Sequence, residues 1–313
     1  MLNLTLNNNP RCNCKLESKV KQQVWEFENI PYIKIEGNNI KKDYTSIKVT
    51  QDNKELFSDF IQINNNSFMI KFELKDALNK TNNIKVFMDN YEEVFNISLN
   101  KIFGTVKYLD NSSVKYPIIN CTNSDIVAVG DENGNFELLL NDKENSIGIF
   151  DNRYSVDMLE VWIYNVDLKQ DIRLDVKIDK CEVYGIRMWE QEHSDCIHFI
   201  PMSITRINDV YSRLEDSKEE VDILSNKDSW PYLKKEDIDV YYNNNSVEIV
   251  SFSKLDDFLG KINGKNIFRN GYVISIPKLD KTEGDLIKII FRDKYLINNT
   301  ISIGVGEGYY LVK

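Results

Sequence analysis

The segment at residues 127–138 reads Val127-Ala128-Val129-Gly130-Asp131-Glu132-Asn133-Gly134-Asn135-Phe136-Glu137-Leu138. Apolar Phe136 and Leu138 alternate with polar residues, which is the period of a half-buried strand. The Asn-Gly pair in the middle favours the positive φ angles of a tight primed turn. The segment therefore predicts two strands joined by a hairpin.

Similar strand patterns recur through the whole chain. Alternating segments bounded by Asn, Asp and Gly follow one another roughly every 8 to 12 residues, which is typical of sandwiches and barrels. The composition agrees, because the 313 residues include 37 Ile and 37 Asn but only two Ala. Ile favours strands, Asn favours turns, and Ala is the strongest helix former. We therefore expect a mainly β protein, and neither a helical bundle nor a doubly wound nucleotide-binding enzyme.

The two ends of the chain resemble each other. Asn66–Phe72 matches Asn270–Ile276, and Ile84–Phe87 matches Ile287–Ile290; an Asn and an Ile-Ser pair follow in both. The match indicates an internal duplication interrupted by an insertion. The alternative is the general alternation that any two halves of a β-sandwich protein share. In the spacing of their strands, both ends resemble immunoglobulin-like domains.

The middle of the chain carries a second resemblance. It opens on Phe103-Gly104-Thr105-Val106, contains the turn at residues 131–136 and closes on Ile172-Arg173-Leu174-Asp175-Val176. It resembles the carboxypeptidase regulatory-like (transthyretin-like) domain, whose members begin with a Gly-x-Val strand and carry an Asp-Glu-Asn-Gly-x-Phe hairpin. Lys115-Tyr116-Pro117 departs from the Pro-Leu-x-Gly turn that is frequent in that family. The resemblance implies a structural or binding module without catalytic residues.

These patterns predict four consecutive segments. They are an immunoglobulin-like sandwich at residues 1–100, a regulatory-like sandwich at 101–180, a β-hairpin with an amphipathic helix at 181–227, and a second immunoglobulin-like sandwich at 228–313. The expected fold class is therefore mainly β: tandem β-sandwich domains, immunoglobulin-like and transthyretin-like, with one amphipathic helix.

The amphipathic helix is predicted over residues 203–224, with Ser203 as its N-cap. Its apolar residues recur at spacings of three and four, interrupted by Lys218. One interpretation is a helix that lies on a neighbouring sandwich. The other is a docking helix, in which Ile207, Tyr211 and Leu214 contact a partner. That interpretation predicts a homo-oligomer or a complex with other structural proteins.

Residues suited to metal binding cluster in one place. The only two histidines, His193 and His198, flank Asp195 and Cys196, and such residues can bind a transition metal. In a single strand, however, His193 and Asp195 would face away from Cys196 and His198. The spacing matches no standard zinc pattern, so a plain hairpin is the stronger interpretation and we expect no cofactor.

Other candidate chemistry is weaker. Cys12 and Cys14 could form a soft ligand pair or a redox pair, but the five scattered cysteines favour buried thiols over disulfides. The run at 131–135 is similar to a calcium loop, yet its Gly is misplaced and no Glu closes it. With two histidines and no phosphate-binding motif, we expect no enzyme activity. The many aromatic residues could supply a sugar-binding platform, but the tryptophans are spread across different segments and Trp is more often a core residue: Trp25, Trp162, Trp189 and Trp230.

Charge and hydropathy limit the partners. The net charge of −10 argues against nucleic-acid binding. No apolar run of bilayer length and no signal peptide are visible, so we expect synthesis in the cytoplasm and no membrane insertion. The first functional hypothesis is a non-enzymatic structural protein, most plausibly a component of a tailed-phage virion (capsid-accessory, neck, tail or baseplate). The alternative is a carbohydrate-binding or adhesive surface module.

Overall fold

The computed structural model describes residues 2–17, 22–38, 47–56, 60–64, 67–73, 81–88, 91–122, 126–140, 144–214 and 219–313. The chain is mainly β and forms tandem β-sandwiches, as the sequence predicts. No helix among these residues is both long enough and apolar enough to cross a bilayer.

The first sandwich consists of two four-stranded antiparallel sheets. Its strands in chain order are β1 (Leu2–Glu17), β2 (Gln22–Asn38), β3 (Ile47–Gln51), β4 (Lys54–Leu56), β5 (Phe60–Asn64), β6 (Ser67–Glu73), β7 (Thr81–Met88) and β8 (Tyr91–Ser98). One sheet has the order β1-β2-β6-β5 and the other β4-β3-β7-β8. Alternate residues, such as Ile33, Ile35, Ile84 and Val86, fill the core between them.

The middle sandwich contains the next eight strands, and one of its sheets is part of a larger one. The strands are β9 (Asn100–Tyr108), β10 (Ile118–Cys121), β11 (Val127–Val129), β12 (Asn135–Leu140), β13 (Glu144–Phe150), β14 (Val161–Val166), β15 (Ile172–Arg173) and β16 (Val176–Ile178). Strand β9 pairs with β12, β15 and β16, while β11-β10-β13-β14 form the opposing layer.

The last sandwich contains eight further strands and two α-helices. They are β17 (Cys181–Glu190), β18 (Ser194–Ser203), α1 (Ile204–Arg213), α2 (Glu220–Ser225), β19 (Ile238–Tyr242), β20 (Asn245–Val247), β21 (Ser251–Ile262), β22 (Lys265–Pro277), β23 (Leu286–Ile297) and β24 (Thr300–Leu311). The β17-β18 hairpin, which the sequence places in the segment 181–227, pairs with β22 and β21 in one sheet. Residues 181–313 therefore form one sandwich together.

The middle and last sandwiches share an eight-stranded sheet. Strand β14 pairs in parallel with β24, which joins β11-β10-β13-β14 to β24-β23-β19-β20. Successive strand residues point to opposite faces. Tyr309 and Leu311 of β24 therefore enter the middle core, while Ile287 and Ile289 of the neighbouring β23 enter the last core from the other face. One sheet thus supplies a wall to two cores.

The first and last sandwiches have the same topology. The orders β1-β2-β6-β5 and β4-β3-β7-β8 recur as β17-β18-β22-β21 and β20-β19-β23-β24. The matched sequences near Phe72 and Ile276 lie in β6 and β22, which have the same rank in the two sandwiches, and those at Ile84 and Ile287 lie in β7 and β23. This correspondence supports the internal duplication and extends it over all eight strands. The Ile-Ser pairs of the two ends lie in strands of the same rank, β8 and β24, but not in the same register relative to the neighbouring strand. Ile84 of β7 pairs with Phe95 of β8, whereas the matched Ile287 of β23 pairs with Tyr310 of β24.

The predicted hairpin at residues 127–138 is wrong in one respect. Strands β11 and β12 lie in opposite sheets, so the segment crosses between layers. Only Gly134 of the central pair has a positive φ, +81°, and the Asp131 carboxylate accepts N–H bonds from Asn133 and Asn135. Among the residues that the structure describes, primed turns occur instead at four Asn-containing pairs with two positive φ values, namely residues 52–53, 243–244, 263–264 and 298–299.

The predicted helix is present as two shorter helices, α1 and α2; the interrupting Lys218 lies outside the described residues. Ser203 precedes α1 but makes no side-chain capping bond to it. Arg206 fastens α1 to the shared sheet, because its guanidinium donates to both carboxylate oxygens of Asp293 on β23, at 2.8–3.0 Å. The same guanidinium lies 4.3 Å from the ring centroid of Tyr295. Helix α1 therefore packs on the last sandwich.

The first sandwich docks on the edge of the eight-stranded sheet. The Asn29 side chain donates to the carbonyl of Val129 and accepts from its N–H, both at 2.9 Å, as a strand residue would. Asn8 forms a parallel bridge with Ile126 beside it. Leu139 of β12 packs against the first core.

Candidate functional site

Aromatic side chains line the junction where β17 crosses the shared sheet. Trp162 and Tyr164 point from β14 with their ring centroids 5.9 Å apart, and Tyr184 of β17 approaches both rings edge-on, at 5.7 and 6.5 Å. The Gly185 N–H donates to the Tyr164 hydroxyl at 2.7 Å. Edge-on aromatic contacts of this kind are favourable, so this cluster stabilises the seam between the two sandwiches.

Two buried carboxyl groups lie beside the aromatic cluster. Burial raises the pKa of Glu160 to about 7, and burial together with the charge of Glu160 raises that of Glu182 to about 8. Glu182 is 4% exposed and its Oε2 atom has no hydrogen-bond partner. The Trp162 indole N–H is also buried without a bond of good geometry. At neutral pH the site therefore holds at least one protonated carboxyl.

A cavity of about 450 Å³ opens further along the same seam. Tyr310 of its lining lies opposite Tyr164 of the aromatic cluster in the pairing of β24 with β14. Its wall is Trp189, which is 42% exposed. We call it the Trp189 pocket. Its lining includes Trp189, Tyr310, Asn165, Glu190, Asp280 and Lys281.

Ion pairs fix the polar side of the Trp189 pocket. Glu190 is bound by Lys278 at 2.6 Å and by Lys281 at 2.7 Å, and these hydrogen bonds lower its pKa to about 2. Lys281 also bonds Asp195, which is fully buried and accepts the Leu279 N–H at 2.9 Å. Burial opposes the charge of Lys281, but its bonds to Asp195 and Glu190 outweigh that effect and raise its pKa. The loop that carries Lys278 and Lys281 is thereby held against the hairpin.

A larger cleft of about 690 Å³ lies between the first and middle sandwiches, beside Asn29. Several of its polar groups are already engaged. The Asp131 carboxylate accepts the bonds of its own turn, and Glu137 pairs with Lys101 at 2.7 Å. Arg173 bonds Asp175 at 3.2 Å. Its largest aromatic side chains are at most partly exposed, which makes it the weaker candidate.

The histidines occupy the hairpin that the sequence predicts. His193 lies in the exposed turn between β17 and β18, whereas His198 lies within β18. Burial lowers the pKa of His198, although Asp257 opposes this. Cys196 is on the same strand, where its sulfur is 3.4 Å from the Ser275 hydroxyl. Within the described residues no three His, Cys, Asp or Glu side chains are grouped to hold a metal ion.

Three cysteines in the described part of the chain, Cys121, Cys181 and Cys196, are buried free thiols. Cys12 and Cys14 belong to β1, with side chains outside the described part.

The predicted contact residues lie on or just after α1. Tyr211 is 44% exposed and Ile207 is half-buried, while Leu214 follows the helix and is also half-buried. The buried positions of α1 are Ile204, Arg206 and Val210. The partner contact at Ile207, Tyr211 and Leu214 stays a prediction.

Of the tryptophans weighed as a sugar platform, Trp230 is buried, Trp162 is partly buried and Trp189 is exposed; the side chain of Trp25 is outside the described part. Sequence reasoning missed the acidic pair and the loop at 278–281, because the register that brings β14, β17 and β24 together leaves no local signal.

No family model matches the chain, and no curated protein sequence matches it. Solved structures overlap it weakly. One is a "putative carbohydrate binding protein" from Bacteroides uniformis, with 10% identity, 68% of this chain and 98% of that chain covered, and a TM-score of 0.23. Two are DUF3823 family proteins. The one from Bacteroides ovatus has 8% identity, 69% of this chain and 100% of that chain covered, and a TM-score of 0.21. The one from Parabacteroides merdae has 12% identity, 69% of this chain and 98% of that chain covered, and a TM-score of 0.20. TM-scores this low do not establish a common fold.

Proposed function

We propose that this chain is a carbohydrate-binding protein without catalytic activity, and that sugar binds in the Trp189 pocket. The observation that carries the proposal is the exposed indole of Trp189 at the wall of a polar-lined cavity. Sugar rings have an apolar face that packs on an aromatic ring, while their hydroxyl groups need hydrogen-bond partners. Asn165, Glu190 and Asp280 offer such partners around the indole.

The pocket is preorganised for this role. Asp195, Lys281 and Glu190 form a connected set of ion pairs behind the wall, so the loop and the hairpin that carry the pocket need little ordering on binding. A ligand that meets a rigid site loses less entropy than one that must order it.

The test is isothermal titration calorimetry of the full-length protein with a panel of neutral and acidic oligosaccharides. We expect binding of at least one oligosaccharide with a Kd between about 10 μM and 1 mM, which corresponds to roughly 4 to 7 kcal/mol. The Trp189→Ala variant should bind it at least about tenfold more weakly, because it loses the ring contact.

The matched control is Tyr232→Ala. Tyr232 is also an exposed aromatic residue, at 67%, and lies outside the pocket near Lys254. Its removal should leave the affinity unchanged. No binding by any member of the panel, or equal losses in both variants, would contradict the proposal.

Assembly with other proteins is the second candidate function, and an apolar patch on the β23-β24 hairpin supports it. Leu296 and Ile301 face each other across the hairpin, and with Ile303 they are all more than half exposed. Exposed apolar patches on soluble proteins often mark interaction sites. A homo-oligomer, other structural proteins as partners and incorporation into a phage virion remain predictions of this hypothesis.

Light scattering after size-exclusion chromatography tests assembly. A discrete multimer that becomes a monomer in the Leu296→Lys variant would support a contact through the patch. The same loss on replacing Ile207, Tyr211 and Leu214 by Ser would instead locate the contact at α1. A monomer at every concentration and with every candidate partner would reject assembly.

A further inference from the structure

We propose that the Trp189 pocket selects uncharged, hydroxyl-rich sugars and rejects sugars that carry a carboxylate. This inference rests on the proposed function and specifies the class of ligand. It follows from how the charges that line the pocket and lie behind it are already paired.

Two cations at the pocket, Lys278 and Lys281, are engaged by carboxylates of the protein. Lys281 lies between buried Asp195 and Glu190, and its side chain is only 10% exposed. Lys278 takes the second pairing position on Glu190 at 2.6 Å. Lys313 also lines the pocket and already has an interaction partner. An incoming carboxylate therefore finds no unpaired ammonium group in the described lining.

One anion in the lining is not neutralised in this way. Asp280 is exposed, and its carboxylate takes part in no ion pair within the described part of the chain. Glu190 and Asp195, by contrast, are each paired with a lysine. The unpaired Asp280 carboxylate therefore repels the carboxylate of an acidic ligand that lies beside it.

The free hydrogen-bonding groups also favour hydroxyl donors. A carboxylate only accepts hydrogen bonds, so Asp280 can bind ligand O–H groups. The Asn165 amide N–H₂ donates to the Leu311 carbonyl at 2.7 Å, which commits one of its donors within the protein and leaves the side-chain oxygen as an acceptor. A sugar hydroxyl can meet these acceptors, whereas a uronate carboxylate at the same position would place two acceptors face to face.

The experiment compares matched oligosaccharides that differ in one functional group. Hexamers of glucose, galactose and mannose are titrated against the full-length protein, alongside hexamers of glucuronate, galacturonate and mannuronate. We expect each neutral hexamer that binds to do so at least about fivefold more tightly than its uronate counterpart at low ionic strength. Because salt screens exposed charges, the ratio should shrink as the salt concentration is raised.

The variant Asp280→Asn removes the unpaired charge but keeps the side-chain shape and one acceptor. It should improve uronate binding and so lower the ratio of neutral-hexamer affinity to uronate-hexamer affinity. The control Glu192→Gln changes an exposed carboxylate in the neighbouring hairpin turn and should leave this affinity ratio unaltered. A uronate hexamer that binds as tightly as its neutral counterpart would overturn the inference.

Failure of this inference can be separated from failure of the proposed function. If a uronate binds best and Trp189→Ala abolishes that binding, the pocket binds sugar but the class is wrong. If no hexamer binds, or if binding does not depend on Trp189, both conclusions fall together.

Discussion

The Glu182→Gln substitution should make the protein more stable at alkaline pH. Glu182 is buried next to Glu160, and its pKa of about 8 exceeds the ordinary value of 4.5. The folded state therefore holds a proton that the unfolded chain releases above about pH 4.5, so stability is greatest below that pH and falls as the pH rises towards 8. Between about pH 5 and pH 8 the loss due to Glu182 is about 3 to 4 kcal/mol, at about 1.4 kcal/mol per pH unit where it titrates fully.

Gln has the shape of the protonated acid but cannot ionise. The variant should therefore match the wild type near pH 5 and be about 3 kcal/mol more stable near pH 8. A residual decline of about 2 to 3 kcal/mol is expected from Glu160, whose pKa is about 7. Urea unfolding followed by near-ultraviolet circular dichroism, at constant ionic strength across this range, measures both curves.

The control is Glu192→Gln, which neutralises an exposed side chain in the β17-β18 turn and should leave the pH dependence as it is in the wild type. Parallel curves for Glu182→Gln and the wild type would refute the reasoning. They would mean that the Glu182 carboxyl ionises in the folded protein as readily as it does in water.

Three further substitutions test the packing of the sandwiches. Asp293→Ala strands the buried Arg206 charge and should lower the free energy of unfolding by about 3 to 5 kcal/mol in urea titrations; a loss below about 1 kcal/mol would contradict that. Gly148→Ala would place a methyl carbon 2.6 Å from the Glu160 carboxylate, and calorimetry should show a destabilisation of about 1 to 3 kcal/mol. Asn29→Ala removes both hydrogen bonds to β11, so hydrogen exchange should quicken at that edge while the core strands keep their protection.

Local sequence patterns predicted most strands because the alternation of apolar and polar residues is visible within each strand by itself. Alternation placed β6, β7, β22 and β23, and the matches between them pointed to the duplication. The Asn-rich composition has a direct cause, since Asn occupies positive-φ positions in each of the four primed hairpin turns found in the described part of the chain. The predicted hairpin at Asn133-Gly134 was wrong, because this turn pair connects strands β11 and β12 of two different sheets instead of two paired strands of one sheet.

The candidate site could not be predicted in the same way. Trp189 was visible as a residue type, but its exposure depends on how β17 lies across β14 and β24. The pairing of Lys281 with Asp195 joins residues far apart in sequence, and the proximity of Glu160 to Glu182 likewise arises only when the two sandwiches meet. Contacts between distant segments carry no periodic signal, so single-sequence patterns do not reveal them.

The shared sheet has a consequence for how the chain is made. Strand β14 ends at Val166, yet the strand that pairs with its free edge does not begin until Thr300, and Tyr309 from that late strand completes the middle core. During synthesis the middle sandwich therefore keeps one edge of its sheet open until β24, the last strand of the last sandwich, has left the ribosome. Distant pairings of this kind fold slowly, and open edges invite association. Strand β24 of the second repeat thus completes the last sandwich and also pairs with the open edge of the middle sandwich.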